Sequence, residues 1–188
     1  MLLFSNLKKY LLESNIYFNH IIHHTNNIVT NSSKYVPNYV LDLPALIEYY
    51  KNGQLEDERW YKNGKLHREG DLPAYIQYYE NGQLKEESCY INGKYHREGD
   101  LPAFIQYYYN GQLYKESWYK NGKLHREGDL PADIEYYDNG QLFTQFWYIN
   151  GKYHREGDLP AVVRYHKNGQ LMRKFWYKGG KLYRKRFS

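Results

Sequence analysis

The stretch "NGKLHREGDLPA" at residues 63–74 returns at 92–103, 121–132 and 150–161 with at most one residue changed. Twelve residues restated every 29 positions mark one small structural unit built repeatedly. Working outward from it, five copies span 42–70, 71–99, 100–128, 129–157 and 158–188. Each reads roughly D-L-P-A-x-I-x-Y-Y-x-N-G-Q-L-x-x-x-x-W-Y-x-N-G-K-L/Y-H-R-E-G.

Asn-Gly occurs nine times, at Asn52, Asn63, Asn81, Asn92, Asn110, Asn121, Asn139, Asn150 and Asn168, and Gly179-Gly180 takes the tenth place. Between aromatic flanks, Asn-Gly predicts a hairpin with a type I′ turn, because both central residues need positive φ. The segment "QLEDERWYK" (54–62) then reads as one nine-residue strand, while Gly70, Asp71 and Pro73 interrupt the longer segment that follows. An irregular loop at "REGDLP" with two strands per copy is the expectation; a turn at Gly70-Asp71 with three strands is the alternative. Pairing around Asn63-Gly64 sets Tyr61 opposite Leu66 and Trp60 opposite His67. Strand parity places Tyr50, Leu55, Tyr61 and Leu66 together on one face. Trp60, Trp118, Trp147 and Trp176, with Tyr61, Tyr90, Tyr119 and Tyr148, form the structural framework. These are stacked aromatic ladders that no single copy can bury alone.

W-Y-x-N-G-K-x-H-R followed by x-Y-x-x-N-G resembles MORN and MORN-like repeats, in a longer variant similar to ones in giant-virus, phage and bacterial proteins. The resemblance covers residues 42–188. It implies an elongated, mainly β, single-sheet antiparallel hairpin array (a solenoid) serving as an interaction surface for proteins or membranes. The chain departs from the family in its 29-residue period and in His67-Arg68, where His-Gly is usual. Copies one, three and five read K-N/G-G-K-L and copies two and four I-N-G-K-Y, so either a double unit was duplicated or successive units point oppositely.

Composition agrees with such a ribbon. Tyrosines number 24 of 188 residues and mean hydropathy is −0.91, so amphipathic rings replace much of an aliphatic core. One cysteine, Cys89, leaves no internal disulfide. No apolar run reaches membrane-spanning length, and the N-terminus lacks a signal peptide's continuous apolar region, so a cytoplasmic location (host cytoplasm or virion, if viral) is expected. Residues 1–41 differ in kind. "SNLKKYLLES" carries a helical apolar stripe at Leu3, Leu7, Tyr10 and Leu11, and "NNIVTNSSKYVPNYV" reads as a linker. The segment is expected to be a helical cap on the first copy or an adaptor for another protein.

No phosphate loop, nucleophile elbow, cofactor motif or metal-ligand spacing is present, and the reading is non-enzymatic. His67, His96, His125 and His154 form a column, but two strands per copy step identical side chains by roughly 10 Å, too far to share an ion. Cys89 stands where the other copies carry Trp and reads as a small buried hydrophobe.

The copies differ after each N-G-Q-L: "EDER" 56–59, "KEES" 85–88, "YKES" 114–117, "FTQF" 143–146 and "MRKF" 172–175. A protein partner reading that surface would meet Arg59, Lys85, Tyr114, Phe143, Phe146, Arg173, Lys174 and Phe175. Residues 161–188 also hold nine Lys/Arg and no Asp/Glu, leaving 17 basic against 21 acidic residues in 1–160. The alternative is therefore an anion-binding module for nucleic acid or acidic lipid through Lys178, Lys181, Arg184, Lys185 and Arg186. A viral structural component is a third reading, since the Asn-, Ile-, Lys- and Tyr-heavy composition fits an AT-rich genome such as a giant virus. A monomer, or an oligomer joined at sheet edges, is expected.

Overall fold

The computed structural model describes residues 42–187, and every regular element among them is a β-strand. The predicted N-terminal cap lies outside the described residues. The first copy sets the pattern: Leu46–Tyr49 and Leu55–Arg59 form a hairpin in the main sheet, and Tyr61–Lys62 and Lys65–Leu66 form a short ribbon of their own. Copies two to four repeat this arrangement in the same register and the same direction. The main sheet holds eleven antiparallel strands, about 50 Å across at ~4.8 Å per strand.

The predicted nine-residue strand is broken in four copies, at Trp60, Cys89, Trp118 and Trp147. Trp60 donates its N–H to the Ala74 carbonyl in the main sheet (2.9 Å), while its own carbonyl accepts from His67 N in the ribbon (3.0 Å). The backbone changes partner at that residue, so the chain leaves the sheet there. Only in the fifth copy, where "KLYRKRF" replaces "KLHREGD", does the strand run on as Leu171–Lys178, paired with Lys181–Phe187.

The two kinds of Asn-Gly turn also differ. In the ribbons Asn63 (φ 52°) and Gly64 (φ 71°) make the predicted type I′ pair. In the main sheet only Gly53 is left-handed (φ 83°). There Gly53 N donates to Tyr50 O, Tyr50 N donates to Gln54 O, and Asn52 Oδ1 accepts from Gln54 N. This is a three-residue turn followed by a bulge, seen as the register slip between Glu48 and Tyr49. It costs the strand one residue of alternation. Tyr50 consequently does not join Tyr61 and Leu66 as parity predicted; its hydroxyl donates to the Tyr78 carbonyl of the next copy (2.8 Å).

"REGDLP" is an irregular loop carrying a tight turn at Gly70-Asp71, without a third strand. The alternation with a 58-residue period reflects two ways of fastening a ribbon. Copies one and three pair Lys62 with Glu69 (3.0 Å) and Lys120 with Glu127 (3.7 Å). Copies two and four stack Tyr90 on Tyr95 (4.3 Å) and Tyr148 on Tyr153 (4.4 Å).

Burial is thin and repetitive. Ala74, Ala103, Ala132 and Ala161 are 0–1% exposed, and Trp60, Trp118, Trp147 and Trp176 are 6–7% exposed. In the fourth interval Trp147, Ala161 and Val163 form a cluster closed by Tyr165, Leu171 and Tyr177. Each of these alanines accepts the N–H of the residue at the chain's exit from the sheet, as Ala74 does from Trp60. Truncating one ring empties such a cluster, so Trp147→Ala is expected to cost about 3–5 kcal/mol in urea denaturation.

Candidate interaction surface

Each tryptophan is the base of a three-part stack. The Arg68 guanidinium lies 3.7 Å from the Trp60 ring centroid and donates to Asp42 (2.6 Å). Arg126 repeats this on Trp118 with both oxygens of Asp100, Arg155 on Trp147 with Asp129, and Arg184 on Trp176 with Asp158. A delocalised cation over an indole, held in plane by a carboxylate, is worth roughly 0.5–2 kcal/mol. Arg184, expected at an anion site, is therefore committed to the framework.

The second copy lacks this stack. Cys89 stands in the tryptophan column, buried, its Sγ 3.8 Å from the Asp71 carbonyl. Burial pushes its thiol up to about 11, so it stays protonated at neutral pH. Arg97 has no ring to lie on, its Nε is buried without a partner, and Asp71 accepts instead from Glu98 N. Cys89→Trp would restore indole, cation and carboxylate together. A gain of about 1 kcal/mol or more is expected, read as a higher denaturation midpoint.

The histidine column is wired into the backbone. His67 Nδ1 accepts from Asn92 N at the next copy's turn (3.1 Å), which leaves Nε2 to donate to Glu69 (2.8 Å). His96, His125 and His154 do the same with Asn121, Asn150 and Gly179. In each of these four rings Nδ1 joins one ribbon to the next, while Nε2 is held by a glutamate of its own copy. Beside them runs the tyrosine ladder: Tyr90, Tyr95 and Tyr119 stack in sequence, as do Tyr148, Tyr153 and Tyr177. Tyr61, at the first ribbon, is 41% exposed.

The structure divides the sequence-predicted partner residues into three groups. Lys85, Tyr114 and Phe143 share one column, lying against Tyr79 (5.7 Å), Tyr108 (4.9 Å) and Tyr137 (4.8 Å) with one side open. Arg59 is tied to Asp57 and Glu48, and Phe146 is buried against Tyr148 and Tyr153, so that ring belongs to the packing. Arg173, Lys174 and Phe175 meet Phe187, Arg186 and Lys185 across the last two strands, and Lys178 faces Lys181 at the terminal turn. Among the described residues none of Arg173, Lys174, Lys178, Lys181, Lys185 and Arg186 is in a salt bridge.

One row was missed. Leu43, Leu72, Leu101, Leu130 and Leu159, the leucines of each D-L-P-A, are 41–61% exposed. The alanine two residues on is buried from the second copy onward, whereas these leucines stay exposed. Leu101 and Leu130 line a groove of about 470 Å³ with Glu98 and Glu127. The signal was available: an apolar residue kept in a loop that Gly, Asp and Pro hold at the surface.

Comparison with protein families finds the MORN repeat variant model matching residues 74–92. That match spans the alanine, both sheet strands and the first ribbon strand of the second copy, and the other four copies repeat the pattern. The second copy is thus similar to the MORN repeat variant, and the tandem β-hairpins of the array support a MORN-like repeat protein. No curated protein and no solved structure matches it. MORN-like repeats are generally scaffolds that meet proteins or membranes.

Carboxylates are built into the sheet itself. Burial raises the Glu87 carboxyl above its ordinary range, against a lowering by Arg97. Its protonated form is favoured in the native state, a contribution present below the unfolded carboxyl range and lost as pH rises through the raised value. Glu87→Gln is thus expected to raise the melting temperature at pH 7, with the advantage shrinking toward pH 4.

Proposed function

We propose that this chain is a non-enzymatic scaffold that binds another protein along the array. The observation that carries the reading is the leucine row: five identical apolar side chains, exposed, at a step of about 10 Å set by two strand spacings. Packing does not account for them, and a partner with its own periodic apolar side chains would. Acidic side chains flank the row, with Glu69, Glu98, Glu127 and Glu156 all at least 72% exposed. The open aromatic column of Lys85, Tyr114 and Phe143 changes from copy to copy and supplies selectivity.

In the full chain, Leu72, Leu101 and Leu130 changed together to Ser should leave the fold intact by circular dichroism. They should reduce partner capture at least about tenfold, as loss of interface anchors does. Cross-linking with mass spectrometry of captured proteins is the readout. Capture unaltered by the triple variant, and by exchange of the divergent stretches between copies, overturns the reading.

The unpaired cations of the fifth copy favour a second reading, an anion-binding module for nucleic acid or acidic lipid. Duplex DNA binding would then weaken with salt at a log–log slope near −0.9 per phosphate neutralised.

A further inference from the structure

The fifth copy differs from the others in how its last strand is used. In copies one to four the outer strand of each hairpin, such as Leu55–Arg59, is paired by the first strand of the next copy, with Glu58 opposite Ile76. After Arg184 the repeat pattern breaks, and residues 184–187 take that place, with Arg186 opposite Lys174 and Lys185 opposite Phe175. In every complete copy a strand in this position has a second neighbour on its far side. Ile76, which stands where Arg186 does, faces Glu87 there. Among the described residues no strand pairs with the far side of Lys181–Phe187. All seven of its residues are exposed, including Leu182, Tyr183 and Phe187 at 49–54%.

We propose that this edge takes an extended acidic segment of another protein as a twelfth strand. The proposal rests on the protein-partner reading and narrows it to one edge. Two observations select the occupant. Cations stand on both faces of the sheet, Lys174 and Arg186 on one, Arg173 and Lys185 on the other. A lipid surface or a duplex meets one face at a time, whereas an added strand sends alternate side chains to both. The edge also repels a copy of itself, since like charges would stand opposite one another. The internal strands show the matching chemistry: "LKEES" (84–88) sets Glu86 and Glu87 against Gln77 and Ile76. The incoming strand supplies Glu where that strand does, one carboxylate facing Arg186 and its neighbour the opposite face. Main-chain hydrogen bonds to the open edge give affinity and register.

The test uses the full chain and a fluorescein-labelled peptide, Glu-Val-Glu-Glu-Val-Glu, read by fluorescence anisotropy. The same peptide N-methylated at alternate residues keeps its charge and loses one row of N–H donors. Binding is expected for the first peptide, weakened at least about tenfold by N-methylation and by Lys174→Gln, Lys185→Gln and Arg186→Gln together. A circular dichroism melt establishes that the triple variant is folded. Equal binding of the methylated peptide overturns strand addition. So does binding of a DNA duplex or phosphatidylserine vesicles in the peptide's absence of affinity, or peptide binding that survives the triple variant. Failure here with capture still dependent on the leucine row removes the edge assignment and leaves the scaffold reading standing.

Discussion

Everything in this molecule depends on one backbone exchange, made at Trp60, Cys89, Trp118 and Trp147. Trp60 gives its N–H to the sheet strand of the next copy and receives, at its carbonyl, an N–H from its own ribbon. A residue in a continuous strand would satisfy both groups within one sheet. Dividing them between two directions turns the chain out of the sheet, and the indole fills the corner this creates. The arginine and aspartate above it then close the corner from solvent. Eleven strands therefore grow as one sheet while the ribbons stack beside it, and each layer is bonded to its own neighbour one copy on.

The linkage between copies is polar and mostly made of main chain. Tyr50, Tyr79, Tyr108 and Tyr137 each donate to a carbonyl 28 residues ahead, at 2.7–3.0 Å. Histidines accept from the turn 25 residues ahead, and turn glycines donate back to the preceding ribbon, as Gly93 does to Leu66. This explains how a chain with so little aliphatic core holds together. Burying a tyrosine leaves its hydroxyl to be satisfied; these four find a carbonyl at a fixed offset, and Tyr78 and Tyr136 find the carboxylates of Glu58 and Glu116. Burial of Tyr78 and Tyr136, beside Glu58 and Glu116, pushes their hydroxyls up to about 12, so they remain donors.

How much of this was legible in the sequence follows from range. The period, the hairpins and the Trp and Tyr columns were readable because Asn-Gly and strict repetition are local signals. The break at Trp60 was not, because alternation continues straight through "EDERWYK" and only a bond to Ala74, fourteen residues away, reveals it. The bulge after Gly53 was hidden for a related reason: the same dipeptide makes two turns, and the preceding residues choose between them. At the surface, divergence between copies located Lys85, Tyr114 and Phe143, but it also selected Phe146, which the ribbon covers. The leucine row went unread because identity between copies is as compatible with a requirement of the fold as with a repeated surface.

The strict forward step of these bonds has a consequence for the gene. A segment of 29 residues removed or inserted at any of the internal joints would bring like ends together, and the same donors would find the same acceptors. Unequal crossing-over could thus lengthen or shorten such a protein by whole units, each product folding at once. A change of any other size would set tyrosine hydroxyls and turn amides against the wrong carbonyls. Length in this lineage is then quantised, and the reach of the molecule can vary without redesign of its parts.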